Sequence, residues 1–178
     1  PVYHEFIAKQ GEWLRLAPDG TILDKVRMVQ ERRALQPAVA VFDERRAIAI
    51  LRDAGPGPGR IRAATSADGG SHWPGAADLP LPNPNSSVAL LRLASGRLLI
   101  AGNAAGNRNQ LLLWLSDNAG KNWRLARRVE SDTDDLVEFS YPALLQGRDG
   151  RIHLAYTWRR QGIKHAVFSE AWLAGGAL

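Results

Sequence analysis

The side chains best suited to chemistry in this sequence are arginines, joined by a few tyrosines and acids at the ends of short apolar runs. Nineteen of the 23 basic residues are Arg, and the formal net charge is +5. A guanidinium is a planar fork that meets a carboxylate through two parallel hydrogen bonds and keeps its charge when desolvated. Such a balance suits an anionic ligand, either a nucleic acid or an acidic sugar. The arginines are scattered, however: the pairs Arg32-Arg33, Arg45-Arg46, Arg127-Arg128 and Arg159-Arg160 lie far apart. Neither a basic arm nor an aromatic–basic motif accompanies them, so a solvated basic surface is the plainer reading and no nucleic-acid partner is expected.

Two arginines stand out by position. Arg52 closes the apolar run Ala47-Ile48-Ala49-Ile50-Leu51, with Asp53 beside it as the plainest partner. Arg108 opens Arg108-Asn109-Gln110-Leu111 ahead of another run. Tyr141, in Glu138-Phe139-Ser140-Tyr141-Pro142, starts a strand, where the plain reading is a packed ring whose hydroxyl finds a neighbour. Tyr3-His4-Glu5 forms another polar cluster, and strand alternation puts Tyr3 and Glu5 on one side. Lone strand histidines such as His4 and His165 are more often packing groups than bases. Asn83, Asn85 and Asn103, with Ser86, are types that meet sugar hydroxyls or build turns. The acidic run Asp132, Asp134 and Asp135 does not have the spacing of an EF-hand loop and reads as a solvated loop. With no cysteine there is no disulfide and no thiolate metal site, and no cofactor or metal is expected.

These residues sit on short strands. Gln36 to Phe42 and Ala47 to Leu51 flank Asp-Glu-Arg-Arg; Ser87 to Leu93 and Arg97 to Ala101 flank Ala-Ser-Gly. Tyr141 to Gln146 and Arg151 to Trp158 flank Gly-Arg-Asp-Gly, and each pair reads as a hairpin. Long amphipathic helical patterns are missing, so the chain is all-β. No apolar run approaches the length that crosses a bilayer as a helix, and no membrane partner is expected. The compartment stays open.

One segment repeats. Ser66-Ala67-Asp68-Gly69-Gly70-Ser71-His72-Trp73 returns fifty positions later as Ser116-Asp117-Asn118-Ala119-Gly120-Lys121-Asn122-Trp123, each copy following a strand. A period near fifty with four strands per unit is that of a propeller blade. The pattern S-x-D-x-G-x-x-W resembles the Asp box of sialidases and related BNR-repeat propellers. In such a turn the Ser and Asp side chains bind local amides and glycine takes a conformation closed to other residues. Asn118 replaces the acid in the second copy, and its amide oxygen can still accept. The resemblance implies part of a six-bladed β-propeller, one domain over residues 1–178, with units near 1–35, 36–85, 86–139 and 140–178. This is the C-terminal half of such a ring, so the remaining blades are expected from the parent polypeptide or from self-association.

The resemblance also implies roles. Sialidases hold a sugar carboxylate with three arginines, and Arg52 and Arg108 are similar to the second and third. Tyr141, thirty-three residues after Arg108, is similar to the tyrosine nucleophile. Gln36, sixteen residues before Arg52, stands where the tyrosine's glutamate partner is expected, and an amide cannot accept that proton. Glu5 and Glu138 are the acids that would take its place; Asn103 is a candidate sugar contact along with Gln36, Arg52 and Arg108. The function implied is a sialidase-like glycoside hydrolase with a partial site for a carbohydrate carrying a carboxylate. The alternative is a non-catalytic carbohydrate-binding propeller, and a weaker one is a scaffold for protein partners.

Overall fold

Apolar runs cut every few residues by Gly, Pro, Asn and Asp leave the backbone little choice but hairpins. The computed structural model describes residues 1–6 and 8–175, and its strands fall into four successive antiparallel groups. The first holds β1 (Val2–His4), β2 (Gln10–Leu16) and β3 (Ile22–Arg27). The second holds β4 (Ala34–Val41), β5 (Ala47–Asp53), β6 (Arg60–Ser66) and β7 (Ala76–Pro82). The third is β8 (Ala89–Arg92), β9 (Leu98–Asn103), β10 (Gln110–Ser116) and β11 (Arg124–Ser131). The fourth is β12 (Phe139–Gln146), β13 (Ile152–Trp158) and β14 (Gly162–Phe168), followed by the short helix α1 (Glu170–Ala174). A single parallel bridge, Gln10 to Ala34, joins the first two groups. The fold is all-β, a partial β-propeller. Only the two middle groups have four strands; each end group has three among the described residues.

The core lies between the sheets. On β5, Ala47, Ala49 and Leu51 pack toward the first group, while Ile48 and Ile50 pack toward the third. On β10, Leu112 and Trp114 face back to the second group, and Leu111, Leu113 and Leu115 face the fourth. Alternation thus buries both faces of the middle sheets, which is why these strands are continuously apolar where a half-solvated strand would alternate. Among the described residues, nothing gives the far face of the fourth sheet such cover. Cross-strand neighbours Leu145, His153 and Val167, then Ala143, Ala155 and His165, then Thr157 and Ile163, lie there exposed or half-exposed.

The two repeated turns match bond for bond. The Ser66 hydroxyl accepts from the Gly70 N–H at 2.9 Å, and Asp68 Oδ1 accepts from the His72 N–H at 2.9 Å. Ser116 and Asn118 make the same bonds to Gly120 and Asn122, each at 2.9 Å, so the amide does replace the acid. Trp73 and Trp123 donate Nε1–H to the carbonyls of Gly70 and Gly120, at 3.2 and 3.0 Å. Gly70 and Gly120 both have φ of 86°. They also lie under a side chain of the preceding sheet: a Cβ on Gly70 would overlap the Trp13 indole, and one on Gly120 would stand 2.8 Å from Ile48. The box is therefore an inter-sheet contact, and it takes no part in the cluster described next.

Candidate functional site

Three residues, two near the starts of β4 and β12 and one in the loop before β8, share an unusual backbone. Gln36, Asn85 and Tyr141 have φ of 51°, 52° and 50°, the left-handed region that side chains with a Cβ rarely adopt. Gln36 and Tyr141 each precede a proline, which disfavours helical conformations still further. In β4 the pairing with β5 jumps from Leu35 to Ala38, and in β12 the pairing with β13 jumps from Ser140 to Ala143. Each jump is a bulge around an X-Pro pair, where the proline has no N–H to offer the ladder. A bulge re-aims a side chain, and strain of this kind, about 1–3 kcal/mol per residue, persists where the surroundings over-determine it.

The arginines come to these three residues. Arg52, across the ladder from Leu35, donates Nη1–H to Gln36 Oε1 at 3.0 Å and Nε–H to Asn85 Oδ1 at 2.7 Å. Gln36 Nε2 lies 3.4 Å from the Tyr3 hydroxyl. Arg108 donates Nη2–H to the Asn85 carbonyl at 2.8 Å and Nη1–H to Glu138 Oε1 at 2.9 Å. Its guanidinium also lies 5.6 Å from the centre of the Tyr141 ring. Arg52, Arg108, Gln36, Glu138 and Tyr141 thus form one connected cluster. Arg52 is only 9% exposed, yet its side-chain partners are both amides, and no carboxylate pairs with it among the described residues. Asp53, its expected partner, pairs with Arg33 instead, through Nε at 2.9 Å. Burial disfavours the Asp53 anion, but the hydrogen bonds from Arg33 and the Gly55 N–H outweigh it and hold the carboxyl below the ordinary range.

Glu138 is buried and fully engaged. Oε1 accepts from Arg108 and from the Ser140 hydroxyl, and Oε2 accepts from Arg160 Nε at 2.5 Å. Burial again opposes ionisation; the donors from Ser140, Arg108 and Arg160 prevail, and its carboxyl titrates below the usual glutamate range. Around it opens a cleft of about 580 Å3, lined by Arg108, Glu138, Tyr141, Thr157, Arg160 and Ile163 among others. Tyr141 is half-exposed at its mouth.

Two of the candidate residues are not brought to this cluster as expected. Glu5 is exposed just past β1 and makes no hydrogen bond or ion pair among the described residues. It is Tyr3 that reaches Gln36, while His4 pairs with Glu12 at 3.1 Å. Asn103 is fully buried, with Nδ2 donating to the carbonyls of Phe139 at 2.6 Å and Gln110 at 2.8 Å. It ties the third sheet to the fourth beneath Arg108, leaving no face for a sugar. His165 pairs with His153 at 3.1 Å, on the far face of the last sheet. Asp132, Asp134 and Asp135 make turn and asparagine contacts, and no metal-binding group of three occurs among the described residues.

Arg160 was not singled out from the sequence. Arg159 and Arg160 are the central pair of the β13–β14 hairpin, with φ of 53° and 55°. Primed hairpin turns need positive φ at both positions and usually take Asn or Gly there. Arginines in their place point to use of the side chains: Arg159 pairs with Asp132, and Arg160 with Glu138. The signal available was the three-residue gap Arg159 to Gln161 between two strands, with arginines where a turn of this kind usually takes Asn or Gly.

Comparison with known proteins places the fold. Residues 1–154 match the BNR repeat-like domain family. An α-L-arabinanase from Penicillium chrysogenum, complexed with arabinobiose, is 18% identical with a TM-score of 0.61, over 77% of this chain and 46% of that one. The NanB sialidase from Streptococcus pneumoniae is 13% identical with a TM-score of 0.65, over 92% of this chain and 28% of that one. The intramolecular trans-sialidase from Ruminococcus gnavus, in complex with oseltamivir carboxylate, is 19% identical with a TM-score of 0.58, over 85% and 36%. At these identities the likeness is one of fold. The chain spans less than half the length of each of these structures. No curated protein matches it.

Proposed function

The chain belongs to the BNR repeat-like domain family, and from that premise we propose that it carries part of a sialidase-like glycoside hydrolase site for an acidic sugar. The observation that carries the reading is Arg52: a buried guanidinium held only by the amide oxygens of Gln36 and Asn85. A buried charge without a counter-charge is costly, and a ligand carboxylate supplies the missing partner. Arg108, joined to Arg52 through Asn85, gives the second fork. Tyr141 stands against Arg108, where its hydroxyl would face the anomeric carbon of a sugar whose carboxylate lies on the arginines. For attack the tyrosine must lose its proton. Gln36 cannot take it, and Glu138 is the carboxylate of the cleft that can. The remaining arginine and the general acid of such a site would come from blades outside this chain.

A second reading, a carbohydrate-binding propeller without catalysis, is favoured by Gln36 and by the three donors that already occupy Glu138. Both readings share the anion site, so binding is tested first. Titration of the chain with N-acetylneuraminate, followed by NMR, is expected to perturb Arg52 and Arg108, and arabinobiose is the uncharged comparison. Arg52→Ala and Arg108→Ala should each weaken binding by about 2 kcal/mol, roughly thirtyfold. Preference for arabinobiose, or indifference to both substitutions, refutes an acidic sugar as the ligand.

A further inference from the structure

Among the described residues, Asn85 is the one that accepts hydrogen bonds from both arginines. Arg52 Nε donates to its side-chain oxygen at 2.7 Å, and Arg108 Nη2 donates to its backbone carbonyl at 2.8 Å. Two guanidinium groups repel each other, and side chains this long keep a fixed separation only when held. The holder is itself fixed. The amide of Asn83 accepts from the Ser86 N–H at 3.2 Å and from the Asp53 N–H at 3.3 Å, and it donates to the Ser86 carbonyl at 2.8 Å. Asn85 is therefore pinned from the residue two before it and the residue after it, and the same clamp ties this loop to the end of β5 beside Arg52. Its left-handed backbone matches those of Gln36 and Tyr141, so the three residues form an inner rim contributed by three successive sheets.

We propose that Asn85 is the neutral spacer of the site: it sets the distance between Arg52 and Arg108 and, having no charge, leaves Arg52 uncompensated and adds no second carboxylate beside the Glu138 that already meets Arg108. The inference rests on the anion-binding reading above and adds a positioning residue to it. The chemistry makes the neutrality specific. An aspartate would have the same shape and the same acceptor atom toward Arg52, but its charge would do intramolecularly what the ligand is meant to do. Glycine, in contrast, would keep the left-handed backbone and the carbonyl that Arg108 uses, and would remove only the oxygen that Arg52 uses.

Asn85→Asp and Asn85→Gly in the 178-residue chain separate this from a structural role. The spacer predicts that Asn85→Asp melts at or above the wild-type temperature while its affinity for N-acetylneuraminate falls about tenfold or more. Asn85→Gly should retain the Arg108 response and lose most of the Arg52 response. A merely structural residue would lose binding and stability together, and that pattern in Asn85→Asp overturns the proposal. Acetate, read on the Nε–H resonances of Arg52 and Arg108, judges the spacer independently of the sugar. It should move both resonances in the wild type and only that of Arg108 in Asn85→Asp. Equal acetate responses in the two proteins, or none in the wild type, overturn the proposal. Acetate responses as predicted, with no response to N-acetylneuraminate, would keep the spacer and remove the acidic-sugar reading.

Discussion

Replacing Gln36 by glutamate tests whether Arg52 is an uncompensated charge. The amide oxygen already accepts from Arg52 Nη1 at 3.0 Å, so Gln36→Glu changes charge with little change of shape. Two unit charges about 4 Å apart attract by roughly 4 kcal/mol at an effective dielectric near 20. Desolvating the introduced carboxylate takes back most of that. A hydrogen bond to a charged group exceeds a neutral one by about 1 kcal/mol, and this is the net gain to expect. For a chain of this size it raises the melting temperature by about 2–4 °C. The long contact from Gln36 Nε2 to the Tyr3 hydroxyl is lost, but that hydroxyl can donate to a carboxylate. The sign with pH is fixed: Arg52 lowers the folded-state pKa of the introduced carboxyl below its unfolded value of about 4.3. The gain is then complete above that value and disappears as pH falls through the folded pKa. Melting curves of both proteins at pH 7 and pH 3, in low salt, read it directly, and affinity for N-acetylneuraminate should fall in the same variant. A melting temperature that is unchanged or lower at pH 7, or a gain that survives at pH 3, refutes the idea that Arg52 lacks a counter-charge.

Asp68→Asn should leave the first repeated turn intact at neutral pH, because Asn118 makes the equivalent bonds in the second. Hydrogen bonds from the His72 side chain and backbone lower the Asp68 pKa from 3.8 to about 2, so the wild type's advantage over the variant is present above pH 3.8. It should vanish between there and pH 2, and acid melts in which the gap stays constant would count against the assignment. The isolated chain should not turn over an aryl sialoside; activity that Tyr141→Phe abolishes would show that a complete site is present here. Leu145, Ile163 and Val167 on the open face of the fourth sheet should drive self-association, read as a mass that falls on dilution in light scattering. A mass that stays that of one chain at every concentration would show that this face needs no partner.

The strands with strong patterns were legible in the sequence. β5 and β10, each with five consecutive apolar residues, and the two repeated turns that follow their hairpins place the sheets without any structure. The outer strands were not. β7 contains Pro80 and Pro82, which a ladder accepts only at an edge, and β11 carries three arginines. Neither reads as a strand by propensity, and both form because an inner neighbour offers a free edge. The site divides in the same way. Arg52, Arg108, Tyr141 and Gln36 were singled out through the resemblance to sialidases, and the structure links them through hydrogen bonds and one ring contact. The direction in which Glu5 and Asn103 point was not legible, because a polar residue near a strand end looks the same whether it faces a cleft or clips a neighbouring sheet. Nor did the sequence disclose Asn85 as the link between the arginines, since Pro-Asn-Ser reads as a turn wherever it occurs.

The exchange of an acid for Gln36 also bears on which of the two functional readings holds. Two guanidinium charges, on Arg108 and Arg160, line the cleft and a third, on Arg52, joins them through Asn85; among the described residues Glu138 is the one carboxylate that lines the cleft. On the sialidase-like reading proposed above, a glutamate at position 36 would neutralise Arg52 and serve Tyr141 as a base; glutamine would give up the base and leave Arg52 charged. On that reading the exchange strengthens the hold on an anion at the expense of proton transfer. Glu138 can restore the lost function only by releasing a donor, and Arg160, on a strained and exposed hairpin turn, is the one placed to move. Catalysis and binding thus make opposite demands on one ion pair. If Glu138 acts as base, Arg160→Gln in the full-length protein should raise the Glu138 pKa, and the acid limb of kcat/KM should move to higher pH with it. If the propeller only binds, the same substitution should weaken anion affinity and reveal no titration of activity at all.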